Sequence, residues 1–225
     1  MNHHPQPDVM LEYAQGNILS PLSVMVAAHL EVCKECRDQY TKTLEKLTKP
    51  DAEVFQVPSD EMNSALNNIF NMIDQGVEEI KPAKELSPFE ITVAGQVIPL
   101  PRSMSFLKDQ VIPWKEFGKQ NAIAPVISQE NGRFYLIYMG PGETVPHHDH
   151  NGREFSYVVA GTYNDGISNF SSGDFSVFKK GDQHTPHATS DDGCLVVSWV
   201  EGRLNFFTGI FKPLNRILWW YLHKA

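Results

Sequence analysis

The chain has 225 residues, of which 41% are hydrophobic, and a formal net charge of -8 at pH 7. This length and apolar content exclude a globally disordered chain and allow one domain or two small ones. The acidic balance argues against direct nucleic-acid binding, which needs a basic surface to displace counterions from phosphates. No run of eighteen apolar residues occurs, and the start MNHHPQPDVM lacks the build of a secretory signal, so we expect a cytoplasmic protein.

Negative charge is concentrated in the first third of the chain. Residues 1–76 hold eleven acidic and five basic side chains, so six of the eight net negative charges lie there. Complementary charge speeds and orients association between proteins. We therefore expect this part to meet a protein partner with a basic surface.

The same third has helical patterning. The stretch SPLSVMVAAHLEVCKECRDQYTKTLEKL places Ser20 as the predicted N-cap and Pro21 at the first helical position. No further Gly or Pro interrupts it as far as Lys49. This predicts a long helix.

A further amphipathic helix is predicted over residues 59–76, with Ser59 as cap and Gly76 as stop. Its apolar side chains recur at helical intervals, at Met62, Leu66, Ile69, Phe70 and Ile73. Such a stripe either packs in the core of its own domain or supplies anchors for a partner. The pattern alone leaves both open.

The remaining chain changes from a linker to strands. Residues 77–88 carry charges and two prolines without a sustained period, which is typical of a linker. Short β-branched and aromatic runs, each closed by glycine, then predict an all-β barrel or sandwich. These runs are FEITVAG, FYLIYMG, EFSYVVAG, DFSVFKKG and CLVVSWVEG. The tail PLNRILWWYLHKA predicts a short C-terminal helix, which packs on the barrel, on a membrane surface or on a second copy.

His29, Cys33 and Cys36 follow one another at helical spacing in the first third. Three ligands along a straight helix are too spread out for one tetrahedral ion, so we expect the helix to break there. His3 and His4 are the other imidazoles of this third and offer the fourth donor. A Cys2His2 set closes a structural zinc site. A redox Cys-x-x-Cys pair is the alternative, but it leaves His29 unexplained.

A second group of histidines lies in GETVPHHDHNGREFSYVVAG. In a strand, side chains two positions apart share a face, so His148 and His150 converge while His147 and Asp149 point away. Two imidazoles on one strand face can supply two of the ligands of a metal ion.

Further ligands follow this strand. Asn151 and Gly152 predict a hairpin turn, after which Glu154 returns on the neighbouring strand. A third imidazole is available at His184 or His187. Mixed imidazole and carboxylate ligation suits zinc, iron, manganese, nickel or copper. Cys194 lies in an apolar run and is predicted to be a buried thiol.

These residues resemble the two motifs of the cupin family. The first motif is met by Gly142, His148, His150, Glu154 and Gly161. The second is met by Gly173, Gly181 and His184, with Lys179 in place of a proline and Ala188 in place of a final asparagine. The resemblance covers roughly residues 88–210, selects His184 over His187, and implies a small β-barrel with a metal in its mouth.

His-x3-Cys-x2-Cys with a histidine about twenty-five residues upstream resembles the zinc-binding anti-sigma domain. Followed by a cupin, the whole chain resembles the ChrR-type zinc-binding anti-sigma factors. This implies an α+β fold of two domains, with a small all-α zinc-binding domain at 1–76 and a linker at 77–88. An all-β cupin barrel, a double-stranded β-helix with a short C-terminal helix, is expected at 89–225.

The resemblance also implies two ligand sets and a function. One zinc is expected at His4, His29, Cys33 and Cys36, and a second zinc or other divalent metal at His148, His150, Glu154 and His184. The helical domain is expected to bind an extracytoplasmic-function sigma factor, with anchors at Leu66, Ile69, Phe70 and Ile73. The cupin is expected to respond to singlet oxygen or related oxidants, after which the sigma factor is released.

The resemblance implies a regulator rather than an enzyme, so no catalytic residue is assigned. The alternative is a cupin metalloenzyme, such as a dioxygenase or an isomerase, with the helical third as an interaction arm.

Overall fold

A computed structural model describes residues 1–48, 63–64, 66–68, 70–71, 89–107 and 112–207. Within residues 59–76, the described positions 63–64, 66–68 and 70–71 are helical, as the amphipathic pattern predicts. The predicted linker at 77–88 and the predicted C-terminal helix lie outside the described residues. None of the described helices is long and apolar enough to cross a membrane.

Short helices form the beginning of the chain, and a 3₁₀ helix follows later. They are α1 (Pro7–Ala14), α2 (Ser20–Val32), α3 (Lys34–Leu47) and the 3₁₀ helix Arg102–Leu107. The prediction of Ser20 as N-cap is wrong by one position, because Leu19 occupies the cap and Ser20 is already helical. Helix α1 was not predicted from the sequence, although Pro7 in its first turn suits a helix start.

Cys33 separates α2 from α3, so the predicted break in the long helix is confirmed. Its φ of -97° and ψ of 105° are those of extended backbone. The Cys33 sulfur accepts a hydrogen bond from the backbone N–H of Cys36 and so caps α3. The Arg37 guanidinium donates to the carbonyls of Leu30 and Glu31 and satisfies the end of α2. The break is therefore built from local hydrogen bonds.

Strands make up the second part of the described chain. They are β1 (Phe89–Val93), β2 (Gln96–Leu100), β3 (Lys115–Phe117), β4 (Asn121–Gln129), β5 (Gly132–Met139), β6 (His148–His150), β7 (Glu154–Ala160), β8 (Thr162–Asn164), β9 (Asn169–Ser171), β10 (Phe175–Phe178), β11 (His187–Ala188), β12 (Cys194–Val200) and β13 (Leu204–Phe206). The five predicted runs correspond to β1, β5, β7, β10 and β12. We call the strands β3 to β13 the barrel.

The largest sheet has six strands in the order β10-β7-β12-β5-β4-β3, and smaller sheets have the orders β11-β8-β9 and β13-β6. Strands β1 and β2 form a separate hairpin. Strand β4 was missed by the sequence analysis because Pro125 interrupts its pattern. A register shift between Pro125 and Ile127 accommodates the proline inside the β4–β5 pair.

Helix α2 packs directly on the barrel. Met25, Val26 and Ala28 are fully buried and belong to the same apolar cluster as Phe155 and Trp199 of the barrel. The Tyr157 hydroxyl donates to the carbonyl of Ala28, and the Glu31 carboxylate accepts from the first N–H groups of the 3₁₀ helix. The helical segment and the barrel therefore share one core.

Candidate metal sites

The first candidate site lies where α2 meets α3. His29 is in the last turn of α2, Cys33 is at the break, and Cys36 is in the first turn of α3. The break lets these three side chains converge, which a straight helix would not allow. His4, in the segment before α1, reaches the same point and is half-buried, whereas the other three are buried.

The distances between donor atoms fit a tetrahedral ion. His4 Nδ1 is 3.3 Å from His29 Nε2, 3.4 Å from Cys33 Sγ and 3.3 Å from Cys36 Sγ. His29 Nε2 is 3.3 Å from Cys36 Sγ. A tetrahedral zinc with ordinary bond lengths to nitrogen and sulfur separates its ligands by about 3.3–3.8 Å. The cluster therefore has the size and the donor set of a zinc site.

His3 does not take part in this cluster. Its ring packs on Phe170, with centroids 4.4 Å apart, and its Nε2 lies 3.1 Å from the carbonyl oxygen of Asn169. The structure thus places His4, rather than His3, beside the two thiols.

The protonation of the first cluster depends on burial. Burial, reinforced by Cys33, raises the pKa of the Cys36 thiol to about 12. Burial also lowers the pKa of His29, although the hydrogen bond to the Gly173 carbonyl opposes this. His29 is therefore neutral, and because a carbonyl only accepts, its proton is on Nδ1 and its Nε2 lone pair faces the cluster. A bound cation would replace the thiol proton.

The second candidate site combines ligands from opposite sheets. His148 and His150 belong to β6, Glu154 begins β7, and His184 lies in the loop before β11. All four side chains are buried, and their donor atoms lie within 4.8 Å of one another. The predicted hairpin between β6 and β7 is wrong, because β6 pairs with β13 while β7 pairs with β10 and β12. His148 is also bridged to His184 across the other side of β6.

Three imidazole nitrogens and one carboxylate oxygen meet at this point. His184 Nε2 is 3.0 Å from His148 Nε2 and 3.1 Å from His150 Nε2. Glu154 Oε2 is 2.6 Å from His150 Nε2 and 3.6 Å from His184 Nε2. An ion at about 2.1 Å from each donor separates ligands at right angles by about 3.0 Å. The three histidines are therefore close enough to share one ion.

The pKa values of the second site follow from burial and from the single carboxylate. Burial, together with His184 and His150, lowers the pKa of His148 to about 3. Burial alone would raise the pKa of Glu154, but His150 and the other two imidazoles lower it below its ordinary value. Burial likewise disfavours the charged form of His150, yet Glu154 raises its pKa overall. The carboxylate of Glu154 therefore favours positive charge among the three imidazoles, which a bound cation would supply.

Side chains behind the ligands hold them in position. His148 Nδ1 donates to the carbonyl of Pro146 at 2.7 Å, which leaves Nε2 free for the site. The Ser156 hydroxyl donates to Glu154 Oε1 at 2.9 Å and contacts the Ser198 hydroxyl at 2.6 Å. Neither serine was predicted from the sequence. Ser156 carried a signal, since it lies two positions after Glu154 on the same face of β7.

An apolar cavity of about 80 Å³ adjoins the second site. His148 and Glu154 form part of its wall, and most of the remaining lining is apolar, including Phe117, Ile137 and Phe206. The site therefore has room beside it for a small apolar molecule.

The other predicted positions lie outside both clusters. His147 contacts Thr185 and Gln183, and the exposed His187 contacts Thr144. Cys194 is fully buried, as predicted, and burial raises the pKa of its thiol to about 12. His184 is thus the histidine of its loop that joins the cluster.

The chain is similar to known proteins over both of its parts. Residues 103–201 match the ChrR cupin-like domain. The anti-sigma-E factor ChrR of Cereibacter sphaeroides is 25% identical over 234 residues, which cover 96% of this chain and 99% of that protein. In the crystal structure of Rhodobacter sphaeroides SigE in complex with the anti-sigma ChrR, the matched chain has a TM-score of 0.62 and 20% identity. That match covers 89% of this chain and 99% of the other.

These similarities agree with the order of elements, in which a small helical part precedes a β-rich cupin barrel, and confirm the predicted fold class. Residues 103–201 match the ChrR cupin-like domain, and the whole chain is similar to a ChrR-type anti-sigma factor, as its sequence predicts.

Proposed function

We propose that this protein is an anti-sigma factor that binds an extracytoplasmic-function sigma factor in the cytoplasm and keeps it from RNA polymerase. The observation that carries the proposal is the buried Cys2His2 cluster joined to a ChrR cupin-like barrel in one chain. Similarity to the anti-sigma-E factor ChrR along 96% of the chain supports it. The proposed organisation is a helical domain at 1–76, a linker at 77–88 and a cupin domain at 89–225.

Co-purification tests the proposed partner. The full chain is co-expressed with each extracytoplasmic-function sigma factor of its source cell and isolated by an affinity tag. We expect one of them to form a stable 1:1 complex and to lose its transcriptional activity in that complex. The proposal is rejected if none of these sigma factors co-purifies.

The proposed cofactors are a zinc ion at the first site and a zinc or other divalent ion at the second. Two thiolates and two imidazoles form a closed set typical of structural zinc, whereas histidines with one carboxylate accept several divalent metals. Metal analysis of the purified chain should give two ions per molecule. Cys36→Ser should remove the first and His148→Ala the second.

The proposed role of the barrel is to release the sigma factor when the cell meets an oxidant such as singlet oxygen. Helix α2 supports this role, because it shares its buried face with β7, the strand that carries Glu154. His148→Ala should leave the affinity for the sigma factor unchanged and reduce the release by oxidant. Loss of sigma-factor binding in this variant would contradict the proposal that the helical domain binds the sigma factor while the barrel responds to the oxidant.

The cavity beside the second site favours one alternative, a metalloenzyme acting on a small apolar substrate. A metal-loaded cupin site can polarise a carbonyl or activate oxygen. Turnover of small diketones or sugars by the purified chain, with iron or manganese bound as isolated, would support this alternative against the regulator.

A further inference from the structure

The turn between β9 and β10, residues 172–174, contacts the segment that carries His4. Asp174 Oδ1 accepts hydrogen bonds from the backbone N–H groups of Asn2, at 2.8 Å, and His3, at 3.2 Å. The backbone N–H of Phe175 donates to the carbonyl of His3 at 3.1 Å. The barrel therefore holds the chain immediately before one ligand of the first site.

Asp174 is itself held firmly in this position. Its other carboxylate oxygen accepts from the backbone N–H and the hydroxyl of Ser171 at 2.9 and 3.0 Å. The residue is 1% exposed. Because Ser171 fixes the acceptor within its own turn, the N-terminal segment binds to a carboxylate that is already oriented.

The same turn contacts a second ligand. The Gly173 carbonyl accepts the Nδ1 proton of His29 at 2.7 Å. Gly173 has a φ of +91°, and a Cβ there would lie 3.1 Å from the Met1 side chain and 3.3 Å from Val32. A glycine therefore lets the turn approach the end of α2 closely.

We propose that the β9–β10 turn of the barrel positions two of the four ligands of the first metal site. Gly173 fixes the tautomer and the ring direction of His29, and Asp174 holds the start of the chain so that His4 reaches the ion. His4 lies in the non-helical segment before α1, and this segment loses conformational freedom when it is held in place. The inference rests on the proposed metal at the first site and is independent of the sigma factor.

Cobalt binding to the full chain tests this inference. Thiolate-to-cobalt absorption reports only the first site, because the second cluster contains no sulfur. Asp174→Ala should weaken cobalt affinity at the first site by about 10- to 100-fold, the usual effect of removing a group that orients a ligand. Asp165→Ala is the matched control. Asp165 is also buried and accepts from the backbone of Ile167 and Ser168 in another turn of the barrel, so its loss should leave this affinity unchanged.

A second pair of variants avoids the barrel altogether. Asn2→Pro removes the shorter of the two N–H hydrogen bonds that Asp174 accepts from this segment, whereas Asn2→Ala keeps both. We expect Asn2→Pro to bind cobalt more weakly than Asn2→Ala, while both variants show the same thermal unfolding curve. If Asp174→Ala does not fold, this second pair alone tests the role of the turn. Equal affinities within both pairs would overturn the role of the turn. If the protein without substitutions showed no thiolate-to-cobalt absorption, the proposed metal binding at the first site would instead be rejected.

Discussion

Phe70 is the most exposed of the predicted partner anchors within the described residues. Its side chain is 59% exposed, and Leu66 on the same helical segment is 41% exposed. Ile69 and Ile73 lie outside the described residues and stay predictions. Exposure of two large apolar side chains on one helix is what a partner-facing stripe requires.

Phe70→Asp should therefore weaken binding of the sigma factor. If Phe70 is buried in the complex, the change should raise the dissociation constant at least about 30-fold, as measured by titration with the purified partner. Ile167→Asp is the control, since Ile167 is 82% exposed on a turn of the barrel. Equal dissociation constants for the two variants would exclude Phe70 as an anchor.

Ser156 supports the second metal site through a single hydrogen bond to Glu154. Ser156→Ala removes the donor and leaves the carboxylate less well oriented. We expect roughly a tenfold loss of metal affinity at this site, measured by competition with a chelator. Ser172→Ala should show no loss, because the Ser172 hydroxyl donates to the carbonyl of Val159, further along the same strand. An unchanged metal affinity in Ser156→Ala would show that Ser156 fills space in the barrel but does not orient Glu154.

At the residue scale, the ligands with local spacing could be predicted from the residues, whereas His4 and His184 are distant in sequence and were assigned through the family resemblance. His148 and His150 share a strand face, and His29, Cys33 and Cys36 lie within two helical turns. Ser198 could not be found in this way, because it meets Ser156 only through the pairing of β12 with β7. The same limit explains the wrong hairpin after His150, since β6 pairs with β13, in which Leu204 is the partner of His150.

At the scale of elements, the break between α2 and α3 depends on Arg37. Its guanidinium lies 2.6 Å from the carbonyl oxygen of Leu30 and 3.0 Å from that of Glu31. Arg37→Leu leaves both carbonyls without this donor. We expect a loss of about 1–3 kcal/mol in the free energy of unfolding, measured with denaturant.

Lys34→Ala on the same helix is the control for Arg37→Leu. Lys34 makes an exposed ion pair with Asp38, four residues along α3, and solvent screens such pairs so that they contribute little to stability. If Lys34→Ala were as destabilising as Arg37→Leu, the effect would come from charge on α3 and not from the end of α2.

Apart from β4, whose pattern is interrupted by Pro125, the long strands were easier to predict than the strands of two or three residues. The runs that became β5, β7 and β12 are rich in β-branched and aromatic residues, so local propensity and burial agree. Strands of two or three residues such as β8, β11 and β13 have too few positions for a pattern and form because of the strands they pair with. Helix α1 lies between the N-terminal histidines and α2, and its eight residues were too few to stand out.

At the scale of the whole molecule, α2 packs on the barrel as well as on α1 and α3. The packing of α2 on the barrel could not be predicted from the sequence, because an apolar helix face does not identify the surface on which it packs. A fragment of residues 1–85 would expose the fully buried Met25 and Val26. Each such side chain contributes about 1.5–3 kcal/mol when buried.

The fragment should consequently unfold at a lower temperature than the full chain and lose the metal of its first site faster. Circular dichroism and metal analysis measure the two effects. An unchanged unfolding temperature together with a full complement of metal would show that the helical part is independent of the barrel.

Strand β10 has one end at each candidate ion. Its first residue, Phe175, bonds to His3, and its last, Phe178, pairs with Glu154 and packs on the His184 ring with centroids 4.2 Å apart. Four residues of extended chain thus join the two centres. If the ion at one end favours one position of this strand, that position changes the affinity for the ion at the other end. Thermodynamic reciprocity then requires each ion to change the affinity for the other by the same factor.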